Sequence, residues 1–374
     1  MTCNQFRVSD KTCWTFVSLE ATDGRVGWGE ASLNGMQAPL LLAAERLSVA
    51  ALQTRSAQPQ QFAAALQPRD LPEAAIVSAI DHALWDLHAQ AAGITLAQAL
   101  GGARHGSIPI YANINRRTIG RSPADFAQSA RNAIAAGYGA IKIAPFDEVD
   151  PARCASGAGH AALDTGLARI AAVRAAIGPN CRLMVDCHWR FDEATASALI
   201  RAIADQNLYW IECPIAEIAV NIPSLKRLRR QANAVGIRLA GLEQGIGVDA
   251  FRPYCEAGAY DVMMPDVKYV GGLRQTLEVA ALLRQHGIDV SPHNPTGPVS
   301  HAISLHVAAA IAGCDSLELQ YDESDLFDAL AAGTLPARIN GRSALPTAPG
   351  LGLRLDARLL ARHADAPVRS WDAA

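Results

Sequence analysis

From residue 108 onward, short apolar segments alternate with longer amphipathic ones, and this alternation constrains the fold more than any other feature of the chain. The amphipathic segments, such as ADFAQSARNAIAAG, carry apolar residues three or four positions apart, as helices do. Repeating units of roughly 25–35 residues, each with one strand and one helix, are typical of a parallel α/β barrel. We predict eight strands, at 108–115, 139–146, 181–189, 208–215, 237–244, 260–267, 289–295 and 316–320.

Outside this repeat the sequence pattern changes. Residues 5–32 alternate apolar and polar side chains around the turn signal Thr22-Asp23-Gly24, which predicts an antiparallel hairpin. Residues 37–100 have helical periodicity. The tail from residue 322 is less regular, and we expect its last part to return to the N-terminal region. The long connection at 145–162 is a candidate active-site loop.

Composition excludes several classes of protein. Charged residues make up 18% of the chain and the formal net charge is −3, without a Lys/Arg run, so neither a nucleic-acid nor a membrane surface is expected as a partner. The sequence has no apolar stretch of about 18 residues. Its first residues, MTCNQFRVSDKTCW, include no apolar segment, so we expect no secretory signal. The eight cysteines form no C-x-x-C pair, so we expect reduced thiols and a cytoplasmic enzyme. No G-x-G-x-x-G opens a helix after a strand and no G-x-x-x-x-G-K-[ST] occurs, so nucleotide cofactors are not indicated.

Polar residues follow the predicted strands at the positions where barrel enzymes carry their chemistry, the carboxyl ends of the strands. In chain order they are Lys142, Asp186, His188, Glu212, Glu243, Asp266, His293 and Glu318.

Three of these acids have the spacing of consecutive barrel units. Asp186, Glu212 and Glu243 lie 26 and 31 residues apart, which places three carboxylates at neighbouring strand ends. A single acid at such a position is often only a helix cap or part of a loop ion pair. Three converging carboxylates repel one another unless a cation lies among them. Oxygen ligands favour Mg²⁺ over zinc, so the spacing predicts a magnesium site.

The chain resembles the enolase superfamily and, within it, the mandelate racemase subgroup. The resemblance covers nearly the whole chain and depends on the order and spacing of its segments. They are DGRVGWGE (23–30), AIDHALWDLHAQAAG (79–93), GAIKIA (139–144), MVDCHW (184–189), WIECP (210–214), GLEQ (241–244), PDVKYVGGL (265–273), SPHNPTGP (291–298) and SLELQ (316–320). The resemblance implies an α/β protein with a modified (β/α)₇β TIM-type barrel at 108–321 and an α+β capping domain formed by 1–107 plus 322–374.

The resemblance also implies roles for the polar residues at the strand ends. Asp186, Glu212 and Glu243 look like the ligands of one Mg²⁺ per subunit. His293 and Asp266 look like the His-Asp dyad of the subgroup, with His293 as the general base and Asp266 raising its pKa.

Two further residues have implied roles at the substrate. Glu318 looks like the acid that hydrogen-bonds a substrate carboxylate oxygen. Lys142 looks like the first lysine of the K-x-K pair on the second barrel strand.

Two departures from the general pattern of the subgroup favour a dehydratase. Ala144 stands where the second lysine of the K-x-K pair would provide a base on the opposite face of the substrate. Asp186-Cys187-His188 is a D-x-H motif that resembles galactonate- and mannonate-type dehydratases. In the galactonate-type enzymes this histidine protonates the leaving hydroxyl. A substrate-binding role is the alternative for His188. The expected activity is therefore that of a hydro-lyase acting on a sugar acid.

Substrate identity is expected to depend on residues of the cap and of the loops after the strands. The cap loop ASLNGMQAP, after Gly29-Glu30, would close over the distal end of the substrate. Candidate binders of substrate hydroxyls or carboxylates are Asn34, Asn113, Asn115, Arg116 and Arg190.

Two alternatives remain open at this point. A racemase or epimerase of the same subgroup would need a second base, which Ala144 does not provide. A non-catalytic metal-binding barrel would retain the acids without turnover. The resemblance also implies a homo-oligomer, a dimer or an octamer.

Overall fold

The computed structural model describes residues 1–53, 59–156, 159–365 and 368–372. The predicted helical region, the long connection after the second barrel strand and the tail thus each include a few residues outside the described ranges. The strands are β1 Thr2–Arg7, β2 Cys13–Glu20, β3 Val26–Glu30, β4 Ser107–Asn113, β5 Ala140–Ile143, β6 Arg182–Asp186, β7 Trp210–Glu212, β8 Arg238–Gly241, β9 Val262–Met263, β10 Asp289–Val290, β11 Leu317–Gln320, β12 Arg338–Ile339, β13 Arg342–Ala344 and β14 Arg369–Ser370.

The described helices lie between these strands. They are α1 Gln37–Gln53, α2 Pro59–Ala64, α3 Leu71–Ala92, α4 Leu96–Ala99, α5 Pro123–Ala135, α6 Pro151–Ala155, α7 Gly159–Ile177, α8 Glu193–Ala202, α9 Ile222–Ala234, α10 Gly247–Ala257, α11 Leu273–Gln285, α12 Pro298–Ala310, α13 Leu326–Leu330 and α14 Ala357–Arg362, with a 3₁₀ turn at Ala219–Asn221.

The predicted eight-strand barrel is confirmed. Strands β4 to β10 pair in parallel in chain order, and β11 pairs in parallel with β4. A parallel bridge between Val290 and Cys314 closes the ring between β10 and the approach to β11. At least one helix follows each of the first seven strands, and β11 is the eighth, as the (β/α)₇β order requires. One buried cluster with members from five barrel strands fills the interior.

Several barrel strands are shorter than the sequence pattern predicts. The segment 289–295 is a strand only at Asp289–Val290, because the chain then leaves the sheet to place His293 and begin α12. The segment 260–267 is likewise a strand only at Val262–Met263. Residues 264–267 and 291–295 of these segments follow the strands at the carboxyl end of the barrel, where the functional side chains lie.

The N-terminal unit is an antiparallel sheet covered by helices. The predicted hairpin is β2–β3, with Gly24 in the left-handed region at φ 82° in its turn. β1 adds a further strand, and the tail strand β14 pairs with β1 in antiparallel register, Cys3 opposite Arg369. The tail also contacts the barrel, because β13 pairs with the start of β4. The assignment of residues 322–374 to the cap stays a prediction.

Some of the described barrel helices begin at a capping side chain of their own, and others, including α11 and α12, do not. Ser122 and Asp192, at the starts of α5 and α8, accept hydrogen bonds from backbone N–H groups in the first turn, as N-caps do. α11 and α12 begin after Gly272 and Gly297, which offer no side-chain cap. α11 follows β9 and Asp266, and α12 follows β10 and His293.

Buried carboxylates of the cap replace the missing N-caps. Asp81, on α3, accepts a hydrogen bond from the backbone N–H of Leu273, the first residue of α11, at 2.8 Å. Glu30, at the end of β3, accepts from the N–H groups of Gly297 and Ser300, at 2.8 and 2.9 Å, at the start of α12. Negative charge at a helix N-terminus is stabilising. The cap is therefore fixed to the two barrel loops that matter most for the candidate site.

Among the described residues, the helices are all too short or too polar to cross a bilayer.

Candidate active site

Three carboxylates converge at the carboxyl ends of neighbouring barrel strands. Asp186 ends β6, Glu212 ends β7, and the two are paired side by side in the sheet. Glu243 lies two residues beyond β8. The side chains are buried, and one oxygen of each lies within 4.8 Å of the others. The structure thus brings together the three residues predicted as metal ligands.

The cluster is electrostatically unfavourable on its own, and this is the test of whether Mg²⁺ fits. Burial raises the pKa of Glu212 to about 8, with Asp186 adding to the effect and Lys142 opposing it. Burial also raises the pKa of Glu243, and the neighbouring carboxylates act in the same direction. Oε2 of Glu243 is buried without a hydrogen-bond partner, a costly arrangement. A divalent cation that accepts oxygen ligands would remove both costs, so these residues fit Mg²⁺.

Lys142 provides positive charge next to the cluster. Its Nζ, on β5, lies 2.6 Å from Oε1 of Glu212, 2.8 Å from Oε1 of Glu318 and 3.9 Å from Oδ2 of Asp186. Asn113 Nδ2 donates to the same oxygen of Glu318 at 2.7 Å. Burial alone would lower the pKa of Lys142, but the surrounding carboxylates raise it well above its usual value. The side chain therefore stays an ammonium in contact with the site.

Glu318 and Ala144 complete the surroundings of Lys142. Burial would raise the pKa of Glu318, but Lys142 and His293 outweigh burial and lower it. Ala144, which stands at the second position of the predicted lysine pair, is buried and carries no ionisable group.

His293 and Asp266 form the predicted pair. Nδ1 of His293 lies 2.7 Å from Oδ2 of Asp266, and Lys268 Nζ lies 2.7 Å from the same oxygen. Because a carboxylate can only accept, Nδ1 carries the proton and Nε2 keeps its lone pair. Nε2 lies 3.3 Å from Oε2 of Glu243, at the edge of the carboxylate cluster. The second imidazole nitrogen is thus free to accept a proton beside the cluster.

The pKa of His293 differs from the expectation. Asp266 raises it, as expected, but burial has the larger effect and the net result is a pKa below the usual value. A lowered pKa keeps the imidazole neutral near pH 7, which a general base requires.

His188 lies beside the carboxylate cluster, two residues after the end of β6. Its Nε2 lies 2.9 Å from Oδ2 of Asp186, its backbone N–H donates to Oδ1 at 3.0 Å, and its side chain is 40% exposed. The charge of Asp186 raises the pKa of His188, so this imidazole holds a proton more readily than His293 does. The site therefore contains two histidines with opposite tendencies, the pattern expected of an acid and a base.

These groups surround a cavity of about 260 Å³ between the cap and the barrel. The cap contributes Thr12, Trp14, Ser32, Leu33 and Asn34 to its wall. The barrel residues that line it are Asn113, Asn115, Arg116, Lys142, Asp186, His188, Trp189, Glu243, Tyr269, His293, Pro295 and Gln320. Polar and charged side chains predominate, which suits a hydroxylated anion.

Of the five predicted substrate-binding residues, four line this cavity. Asn34 accepts from the backbone N–H of Cys13 at 3.2 Å, while Arg116 donates to Thr12 Oγ1 at 3.1 Å. Asn113 and Asn115 complete the four.

The fifth, Arg190, lies elsewhere. Its guanidinium donates to the backbone oxygens of Asp147 and Val149, at 3.3 and 2.8 Å. The structure therefore gives Arg190 a contact with the long loop after β5 and does not place it on the cavity wall.

Three acids around the site were not among the residues predicted from the sequence. Glu30 belongs to a segment that carried the resemblance, but nothing indicated its contact with α12. Glu217 interrupts the apolar run IAEIAV, and an acid in such a run is a detectable signal. Glu323, which accepts from Ser9 and Thr12 beside Arg116, has no comparable signal.

The fold and site define a class of protein: a capped (β/α)₇β barrel with three carboxylates, a lysine and a His-Asp pair at its strand ends. The chain matches two family models, the mandelate racemase / muconate lactonizing enzyme N-terminal domain over residues 5–101 and the enolase C-terminal domain-like family over residues 125–359. It belongs to the enolase superfamily.

Individual relatives agree with this membership. The chain is 28% identical to a D-gluconate dehydratase of Thermoproteus tenax, over 94% of this chain and 70% of that protein. It is 26% identical to a D-galactonate dehydratase of Verminephrobacter eiseniae (strain EF01-2), over 96% of each. The crystal structure of an enolase protein from Sargasso Sea environmental sequencing superposes with a TM-score of 0.82 at 31% identity, covering 98% of this chain and 97% of that one.

Proposed function

We propose that the protein is a Mg²⁺-dependent hydro-lyase that dehydrates a sugar acid, an aldonate or an aldarate, to a 2-keto-3-deoxy acid. The relatives named as gluconate and galactonate dehydratases support the coarser class. Support for the particular reaction comes from the arrangement of the ionisable groups around the cavity.

The observation that carries the proposal is the pair of histidines. His293 and His188 come from different strand ends and both line the cavity beside the carboxylate cluster. The position that would provide a second lysine is Ala144. One base and one acid suit an elimination, whereas inversion at a carbon needs a base on each face.

The chain's own groups can carry each proton of the reaction. Nε2 of His293 accepts the proton next to the substrate carboxylate, and the electrons of that C–H bond move onto the carboxylate. Lys142 lies where it can stabilise this charge, and Glu318, 2.8 Å from the Lys142 ammonium, holds that ammonium in place. The electrons then return to form a carbon–carbon double bond as the 3-hydroxyl leaves. His188 protonates the departing oxygen, which leaves as water, and the enol product tautomerises to the 2-keto-3-deoxy acid.

Asp186, Glu212 and Glu243 would hold the magnesium ion. When bound, Mg²⁺ would neutralise the substrate carboxylate and lower the cost of the charge that develops on it.

The test is a screen of the purified protein, with Mg²⁺, against a panel of aldonic and aldaric acids. A 2-keto-3-deoxy product, detected with semicarbazide, is the expected result. His293→Asn should abolish it, while treatment with a chelator should abolish it reversibly.

The other outcomes select between the alternatives. Deuterium incorporation next to the carboxylate from D₂O, with loss of optical activity and without dehydration, would indicate a racemase or epimerase. Neither signal with any acid of the panel would indicate a non-catalytic metal-binding barrel.

A further inference from the structure

Glu217, outside the cavity wall, contacts a residue within three positions of each predicted metal ligand. Its Oε1 accepts a hydrogen bond from the backbone N–H of Leu242, the residue before Glu243, at 2.5 Å. Its Oε2 accepts from Nε1 of Trp189, three residues after Asp186, at 2.9 Å. One carboxylate thus joins two of the three ligand-bearing segments directly.

Glu217 also contacts the third ligand-bearing segment, the one that carries Glu212. Cys213, the residue after Glu212, has its Sγ 3.8 Å from Oε1 of Glu217. The hydroxyl of Tyr260 also donates to Oε1, at 2.7 Å. A Cβ added to Gly241 would lie 2.4 Å from the same oxygen, so the carboxylate fills the space against β8.

The segments that Glu217 joins have unusual backbone conformations. His188, Trp189, Cys213 and Leu242 have φ values of 48°, 55°, 46° and 66°, although none of them is glycine. The left-handed region is unfavourable for such residues and persists only where the surroundings hold it. Here the residues that flank the predicted ligands are held in this region, and Glu217 contacts three of the four.

We propose that Glu217 is a positioning residue that holds the three metal-ligand segments in register and thereby sets the affinity of the site for Mg²⁺. The inference rests on the proposed metal site but not on the choice between dehydratase and racemase. Partners that orient metal ligands without touching the ion typically contribute about 10–100-fold to metal affinity. Glu217 acts by this route on all three ligands at once, through Leu242, Trp189 and Cys213.

The experiment is isothermal titration of the metal-free protein with MgCl₂, comparing the wild type with Glu217→Gln. The amide keeps the size of the side chain but cannot accept at both ends. We expect a 10–100-fold higher dissociation constant for Mg²⁺. A second, milder variant, Tyr260→Phe, removes one donor to Glu217 and should raise the dissociation constant by a smaller factor.

Asp261→Asn is the matched control. Asp261 accepts from the backbone N–H of Leu239 at 2.8 Å, at the opposite end of the same strand β8 that Glu217 contacts near Leu242. The Asp261→Asn substitution should lower the thermal unfolding temperature without changing the dissociation constant for Mg²⁺.

The outcomes separate this proposal from the proposed function. If the wild type binds no Mg²⁺, the proposed metal-dependent function fails. If the wild type binds Mg²⁺ and Glu217→Gln binds it equally well, the positioning role is overturned. An equal loss of affinity in Asp261→Asn would likewise overturn it, because the effect would then follow general stability.

Discussion

The carboxylate of Glu30, on the cap, accepts a 2.8 Å hydrogen bond from the backbone N–H of Gly297, four residues after His293. The same oxygen accepts from the hydroxyls of Ser32 and Thr296, both at 2.6 Å. One buried acid therefore connects the cap loop over the cavity with the barrel loop that carries the proposed base.

Replacing Glu30 by Gln should weaken its hydrogen bonds to the cap loop and to the barrel loop that carries His293. An amide oxygen cannot match the charge that α12 favours at its N-terminus, so the free energy of unfolding should fall by about 1–3 kcal/mol. The turnover number should fall by about tenfold because His293 is held less firmly, an effect on the order of 1.4 kcal/mol. Steady-state kinetics and thermal unfolding measure the two effects.

Glu20→Gln is the control for that experiment, since Glu20 ends the neighbouring strand β2 and is exposed. It should leave both quantities unchanged. An unaltered turnover number in Glu30→Gln would show that the loop of His293 does not depend on the cap.

Substitutions of the two histidines should have different effects on deuterium exchange. His188→Asn should lose dehydration by about 10²–10⁴-fold while still exchanging the proton next to the substrate carboxylate with D₂O. His293→Asn should lose both activities. Proton NMR of substrate incubated in D₂O with each variant measures the exchange. Equal loss of exchange in both variants would assign His188 to substrate or metal binding.

Asp86 should make stability depend on pH. Its carboxylate accepts from the backbone N–H groups of Trp28 and Leu351, at 3.0 and 2.9 Å. Burial raises the pKa of Asp86 from 3.8 to about 6, against these hydrogen bonds. A carboxyl with a raised pKa stabilises the fold fully below its unfolded value, and this contribution is lost as the pH rises through the folded value.

The expected loss for Asp86 between pH 4 and pH 7 is about 2 kcal/mol. Asp86→Asn cannot ionise, so the unfolding free energy of the wild type relative to this variant should fall by that amount over the interval. Chemical denaturation at the two pH values measures the difference. A constant difference would mean that Asp86 is not ionised or is not desolvated as the structure indicates.

Removing Lys142 should destabilise the protein strongly. Lys142→Met leaves Glu212 and Glu318 buried without their cation, a change that typically costs about 3–5 kcal/mol. Mg²⁺ should recover part of this loss, because it can neutralise the carboxylate cluster. Denaturation with and without Mg²⁺ measures both effects. Lys226→Met, on the exposed face of α9, should behave like the wild type, and equal stability of the two variants would contradict the prediction.

Sequence alone predicts the parts of the site that follow directly from strands. An acid after a run such as LMV or YWI must lie at the end of a buried strand, and the barrel repeat then brings Asp186 and Glu212 together. For these two acids, local pattern and chain topology determine the position. The meeting of His293 with Asp266 is instead expected from the resemblance to the mandelate racemase subgroup.

Sequence reasoning fails where contacts depend on three-dimensional packing. Arg190 follows His188 and Trp189 in the chain, but the left-handed conformations of those two residues turn the backbone, and Arg190 contacts the loop after β5. Glu30 and Asp81 lie far along the chain from the helices they cap. No periodicity links residues about 200 or more positions apart, so these contacts emerge only from the packed structure.

The ammonium of Lys142, between Glu212 and Glu318, has a consequence for the order in which the protein folds and binds its metal. Because the polypeptide brings its own counter-charge to the acidic cluster, chain folding need not wait for an ion. We expect newly made protein to accumulate in a folded, metal-free form that fills later. The supply of magnesium, rather than the yield of folding, would then determine how many molecules are active at a given moment.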